Sequence, residues 1–159
     1  MIDPIEFRRV MGHFATGVTV VTTRTPAGQP CGLTANAFAS VSIDPLLVLV
    51  SVDRAANSHD CIRSSGAFAV NVLAQEGGES LARRFASWEL EQKFDGVAYR
   101  EERTGSPVFP DALAWLDCRV HQAVPAGDHT LFLGEVLAAD AREGTPLLYY
   151  RGGYGRFTP

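Results

Sequence analysis

Gly32–Ile43, followed by Asp44-Pro45 and Leu46–Val52, constrains this chain more than any other stretch, because it reads as two adjacent β-strands joined by a turn. Side chains alternate across a strand, so Leu33, Ala35, Ala37, Ala39, Val41 and Ile43 are expected on one apolar face. Thr34, Asn36, Phe38, Ser40 and Ser42 are expected on the other. Leu46–Val52 is apolar on both faces, which marks an interior strand and draws its neighbour inward. The plain reading of the polar face is a solvated surface. Such a surface usually carries long charged side chains, whereas this one offers short hydroxyls, one amide and one ring, a set that needs partners once covered. A polar ligand seated there would supply them.

The remaining elements are arranged around that pair. Pro4–Phe14 spaces Ile5, Val10, Met11 and Phe14 as a helix does, with Asp3 as cap and Pro4 at the first helical position. Thr16–Thr23 is rich in β-branched residues and is expected as a first strand leading through a hairpin into the Gly32 strand. A short helix is expected after Val52, capped by Asn57 or Ser58 and stopped at Gly66. Its free backbone N–H groups would suit a phosphate, although nearly every helix begins with such groups. Phe68–Leu73 reads as a strand and Glu79–Ala86 as a helix with Leu81, Ala82 and Phe85 on one side. From Ser87 to Asp111 the periodicity is lost, and loops of this length in compact domains are often functional. Ala114–Val124 and His129–Ala139 form the clearest hairpin, turning at Pro125–Asp128, and Pro146–Phe157 gives a last strand with an aromatic, glycine-rich tail. Hairpin-linked strands favour an antiparallel barrel over a parallel doubly wound sheet.

At 159 residues the chain fits one domain, 1–159, with a core of its own. A formal charge of −4 supplies no general attraction for nucleic acid or an anionic membrane, so neither is expected as a partner. Cys31, Cys61 and Cys118 are odd in number and lack metal-type spacing, and the N-terminus lacks the pattern of a secretory signal, so a reducing cytoplasm is the expected location. No apolar run is long enough to cross a bilayer.

Several chemistries find no support. His13, His59, His121 and His129 are isolated in the sequence and none has a metal ligand's spacing, so no metal is expected. No nucleophile elbow, Walker loop or Gly-x-Gly-x-x-Gly fingerprint is present, which excludes a Rossmann route to a nucleotide. His129 stands out because the hairpin turn puts it at a strand end, where a side chain can face a neighbouring cleft; the alternative is a polar residue near a turn. Asp128 beside it reads as turn chemistry.

Taken together and in order, Thr16–Thr22, Gly32–Ser42, Phe68–Leu73, Gly127-Asp128-His129 with Gly134-Glu135-Val136, and Tyr154-Gly155-Arg156-Phe157 resemble the short flavin reductases over nearly the whole chain. These are the reductase components of two-component flavin-dependent monooxygenases. The resemblance implies a mainly β (α+β) fold, an antiparallel split β-barrel of the FMN-binding type with a few short helices. It also implies a homodimer that binds FMN or FAD, takes a hydride from NADH or NADPH, and passes reduced flavin to a separate oxygenase component. Thr34, Ala35, Asn36, Ala37, Ser40 and Ser42 would then meet the flavin's ring edges and ribityl chain, with Ser51, Val52, Asp53, Asn57 and Ser58 at the phosphate end. Arg84 and Phe85 would flank the flavin, His129 would orient the nicotinamide as the one catalytic side chain, and Tyr154 and Arg156 would close over the dinucleotide. Leu46-Leu47 departs from the family, which more often has a second proline there. A non-catalytic flavin carrier or sensor of the same fold is the competing reading. A pyridoxamine-phosphate-oxidase-like enzyme would need a basic phosphate pocket, for which no Arg/Lys cluster is evident.

Overall fold

In the computed structural model, which describes Met1–Pro159, the chain opens with helix α1 (Pro4–Met11). The Asp3 carboxylate accepts from the Glu6 amide at 2.9 Å and Pro4 takes the first turn, so both entry signals operate. The helix stops at Gly12 rather than reaching Phe14, and none of its residues is buried. In chain order there follow β1 (Thr16–Gly17), β2 (Thr19–Arg24), β3 (Pro30–Ala35), β4 (Phe38–Ile43), β5 (Leu46–Asp53), α2 (Asn57–Ser65), β6 (Ala67–Val72) and α3 (Gln75–Ala86). The short strands β7 (Arg100–Glu101) and β8 (Pro107–Val108), the long strands β9 (Ala114–Ala126) and β10 (His129–Ala141), and the pair β11 (Leu147–Tyr150) and β12 (Gly153–Arg156) complete it.

Seven strands form one antiparallel sheet in the order β3-β2-β6-β9-β10-β5-β4. Because side chains alternate, Val20 and Val21 enter different cores. Val21 joins Val48, Val50, Val52, Phe68 and Phe132 on one face of the sheet, whereas Val20 joins Leu73, Ala82, Phe85 and Phe109 beneath α3. Each such fully buried side chain contributes about 1.5–3 kcal/mol of transfer free energy. Gly134, at an irregularity in the β9–β10 pairing, is required by close approach: a Cβ there would lie 2.5 Å from the Phe68 ring and 2.9 Å from Cys118 Cβ.

The expected strand over Gly32–Ile43 is two strands. It breaks at the exposed residues Asn36 and Ala37, where the chain leaves one edge of the sheet as β3 and enters the opposite edge as β4. The Ser51 amide donates to the Ala37 carbonyl at 3.0 Å across this junction. The break resets the alternation, so Phe38, expected on the polar face, packs against the same core as Leu33 and Ala35. A second irregularity between Ser40 and Ser42 shifts the register again, and Val41 and Ile43 are exposed rather than buried with Leu33. Thr16–Thr23 likewise divides, because β1 pairs with β11 in a small β1-β11-β12 sheet while β2 enters the large one. The tail after Tyr150 is the second arm of a hairpin.

Two helices depart from expectation at their starts. Ala56, not Asn57 or Ser58, is the N-cap of α2, with no side-chain cap bond, while Gly66 closes the helix in the left-handed region at φ 68°. Helix α3 begins at Gln75 rather than Glu79, its first turn set off by non-helical angles at Glu76 and Gly77. The long connection after α3 is held by buried polar groups: Thr22 Oγ1 donates to the Pro107 carbonyl at 2.5 Å, Asn71 Oδ1 accepts from the Phe109 amide at 2.8 Å, and Asp117 accepts from the Thr104 amide and hydroxyl. No helix is long and apolar enough to cross a membrane.

Candidate active site

A groove of about 460 Å³ runs along β3, between the start of α2 and the end of α3 with the segment that follows it. Cys31, Thr34, Asn57, Ser58, Trp88 and Lys93 line it. Gly32 lets β3 lie tightly under α3, since a Cβ there would stand 3.3 Å from the Phe85 ring and 3.0 Å from the Val21 carbonyl. Thr34 is at the groove, but its hydroxyl donates to the Ala82 carbonyl at 2.7 Å, so its role there includes anchoring α3. Ser58 is buried and its Oγ accepts from the Cys31 thiol at 3.4 Å. Phe85 is buried among Phe94 and Phe109. Arg84 reaches across to the Lys93 and Asp95 carbonyls at 2.5 and 2.6 Å, so its guanidinium shapes the loop beside the groove.

A second set of the expected residues gathers where β3 gives way to β4. Ser51 stands opposite Leu131, Val52 opposite Thr130 and Asp53 opposite His129 on β10. This set adjoins Asn36 and Ala37 through the Ser51–Ala37 backbone bond. The side chains of Asn36, Ser40, Ser42, Ser51 and Asn57 make no hydrogen bond within the chain, and none of their polar atoms is buried without a partner, so their donors and acceptors are open to a bound molecule. Val52 belongs to the core, which leaves only its backbone available. Asp53 Oδ1 accepts from the Ala55 amide at 2.8 Å and shapes the turn into α2.

His129 is half-exposed at the head of β10, and its Nδ1 lies 2.7 Å from Asp128 Oδ1. That hydrogen bond holds the Asp128 carboxyl below its ordinary value, so Asp128 orients the imidazole as well as making the turn. The Asp128 carbonyl also accepts from the Arg54 amide at 3.0 Å, tying the hairpin turn to the end of β5. Tyr154 and Arg156 stand apart on the small sheet: Tyr154 packs edge-on against Tyr149 at 5.5 Å and lies under the Arg83 guanidinium at 5.0 Å, and Arg156 pairs with Leu147. Burial pushes the Tyr154 hydroxyl pKa up.

Three features escape a sequence reading. His59 is buried, with Nε2 2.8 Å from Thr130 Oγ1 and its ring 5.4 Å from Phe132, so it braces α2 against the strand that carries His129. Lys93, in the stretch without periodicity, donates to the Phe85 carbonyl at 3.0 Å, and burial pulls its ammonium below the usual lysine value. Cys31 on β3 donates to Ser58 Oγ on α2, and Cys61, one turn further along α2, donates to the Asn57 carbonyl, both at 3.4 Å. A larger cavity of about 840 Å³ beside the start of α3 contains none of the expected residues; Glu76, Asp111 and Arg142 are the charged side chains of its lining.

Residues 11–158 match the flavin reductase like domain. A probable flavin reductase of Rhizobium meliloti (strain 1021) is 42% identical over 159 residues; the chain aligns over its full length but spans only half of that relative. The reductase subunit HsaB of a flavin-dependent monooxygenase from Rhodococcus jostii (strain RHA1) is 41% identical, with 99% of this chain and 80% of HsaB covered. The solved NADH:FAD oxidoreductase SgcE6 of Streptomyces globisporus C-1027, in complex with NAD and FAD fragments, superposes with a TM-score of 0.89 at 40% identity, covering 100% of this chain and 97% of that one. With the domain match over nearly its whole length and this extent of identity, the chain belongs to the flavin reductase family.

Proposed function

We propose that the chain is an NAD(P)H-dependent flavin reductase that reduces FMN or FAD and hands the reduced flavin to a separate monooxygenase component. The observation that carries this reading is the open polar edge at the β3–β4 junction, where Asn36 and Ser51 keep unpaired side chains near the half-exposed His129, with Ser40 and Ser42 unpaired further along β4. When bound, flavin accepts the hydride of the reduced nicotinamide, and that exchange is the cofactors' own chemistry. The protein therefore needs donors and acceptors that orient rather than a covalent catalytic group.

In this reading Thr34, Ala35, Asn36, Ala37, Ser40 and Ser42 hold the ring edges and ribityl chain, while Ser51, the Val52 backbone, Asp53, Asn57 and Ser58 meet the phosphate end. Arg84 acts by fixing the loop over the groove and Phe85 by supporting β3 from beneath. His129, held by Asp128, positions the nicotinamide, and Tyr154 and Arg156 cover the dinucleotide. The edge strands β3 and β4 are consecutive in the chain, which supports reading the sheet as a split barrel of the FMN-binding type within one domain over 1–159. The exposed apolar side chains of α1 and β4 supply a homodimer interface, and three free thiols suit a cytoplasmic protein.

The test is to mix the protein with FMN or FAD and with NADH or NADPH and to follow loss of reduced-nicotinamide absorbance. Turnover with at least one pair is expected. A shifted flavin spectrum without turnover would make the protein a carrier or sensor.

A further inference from the structure

Helix α2 opens with Asn57 and Ser58, two of the residues assigned to the flavin's phosphate end, and its own cap does little to fix them. Ala56 is the N-cap and supplies no side-chain bond, and the Ser58 amide has no acceptor in the chain. Two polar side-chain bonds tie this turn to the sheet. One is the weak bond from the Cys31 thiol to Ser58 Oγ at 3.4 Å; the other joins His59 Nε2 to Thr130 Oγ1 on β10 at 2.8 Å. His59 and Thr130 are 7% and 6% exposed, so this second bond lies away from water, where breaking it leaves a buried polar group without a partner. Thr130 stands between Val52 of β5 and Pro125 of β9, so His59 grips a strand that is held on both sides. The imidazole also packs against the Phe132 ring of the same strand at 5.4 Å. Its Nδ1 lies 3.2 Å from Asp60 Oδ1, a carboxylate oxygen that only accepts, so the neutral ring carries its proton on Nδ1 and Nε2 accepts from the Thr130 hydroxyl. One turn further along, Ile62 is fully buried in the core and holds that turn by packing alone.

We propose that His59 is a positioning residue for the flavin phosphate: by holding the first turn of α2 against β10, it aims the Ser58 amide and the Asn57 side chain at the phosphate without touching the ligand itself. The inference rests on the flavin reductase reading, which puts the phosphate at this turn. An anion at a helix start is recognised by several donors at once, so a turn that rocks misaligns them together. The expected loss is the worth of about one hydrogen bond, roughly three- to tenfold in affinity for a phosphate-bearing flavin. The ring edges and ribityl chain, held from β3 and β4, are left as they were.

The test compares flavins with and without the phosphate. Quenching of flavin fluorescence gives dissociation constants for FMN, FAD and riboflavin, which has no phosphate, with the wild-type chain, His59→Leu, Thr130→Val and His59→Gln. His59→Leu keeps an apolar side chain of similar size against Phe132 and drops the bond; Thr130→Val drops it from the other side and keeps the shape. Both are expected to weaken FMN and FAD about three- to tenfold while riboflavin stays within about twofold. His59→Gln, whose amide oxygen accepts from the Thr130 hydroxyl, is expected to restore most of the loss. A merely structural role would weaken all three flavins alike, and that result, or unchanged FMN and FAD affinity, would overturn the proposal; should His59→Leu fail to fold, Thr130→Val decides. Riboflavin bound by the wild-type chain as tightly as FMN and FAD would take the phosphate away from α2, a separate result that overturns the placement on which the inference rests.

Discussion

β2 and β4 are six-residue strands of one sheet with opposite fates. β2 lies between β3 and β6, with one core on each face, and only Arg24 at its end reaches solvent. β4 is an edge strand with β5 alone beside it, and Val41 and Ile43 are 47% and 87% exposed. Ile43 is no less hydrophobic than Val20. Burial in this chain therefore follows place in the strand order, and Ile5, Val10 and Phe14 on and just after α1 are exposed as well.

The sharpest way to break the comparison is to cut into each side of it. Phe68→Ala, in the fully buried core beneath Gly134, is expected to lower unfolding free energy by about 3–5 kcal/mol in urea denaturation. A loss below about 1 kcal/mol would mean that this half of the sheet is no better packed than the edge. Ile43→Asp should leave the fold of the separate protomer nearly untouched but weaken self-association by about 1.5–3 kcal/mol, the worth of one buried isoleucine. Light scattering across a dilution series measures it, and a wild-type protein that is monomeric and fully active would remove β4 as an interface.

The junction between the two halves gives the next effects. Asn36→Leu should weaken flavin binding by about 1–3 kcal/mol, because a covered flavin group loses its partner; unchanged affinity would return Asn36 to plain surface. His129→Ala should slow reduction at limiting nicotinamide by about 1–2 kcal/mol, roughly five- to thirtyfold, with flavin affinity nearly intact. Rapid mixing separates the two, and weakened flavin binding with an unaltered reduction rate would move His129 to the flavin side.

The smallest effect expected is a pH dependence. Burial lowers the Lys93 pKa, so its charge is lost at a pH below the usual lysine value. An anionic phosphate bound in the groove should hold steady at neutral pH and weaken as pH rises through that lowered value, and Lys93→Met should flatten the curve. Stability moves the opposite way: the folded chain releases this proton at a lower pH than the unfolded chain, so the cost of burying the ammonium falls as pH rises.

Much of this was legible in the residues. Asp3 and Pro4 announced α1, Gly66 announced the end of α2, and the alternation of Ala114–Val124 against His129–Ala139 announced the long hairpin. The Asn36 break was not, because Thr34 through Ser42 alternates as smoothly as an unbroken strand does, and nothing local says that the two halves belong to opposite edges. The bracing bonds of Thr34 and Arg84 were not legible, since their partners, the Ala82 and Lys93 carbonyls, carry no side-chain signature.

The sequence by itself determined the strand-rich antiparallel character, the family, and the polar set at Asn36, Ser40, Ser42 and Ser51, because alternation, turn residues and motif order are local properties of a chain. Tertiary structure alone decided that Val20 is buried and Ile43 exposed, that His59 braces the strand of His129, and that Cys31 meets Ser58. These depend on which strand lies beside which. Strand order is set by pairings between residues far apart in the chain, whose free energies are read only when the whole sheet is assembled.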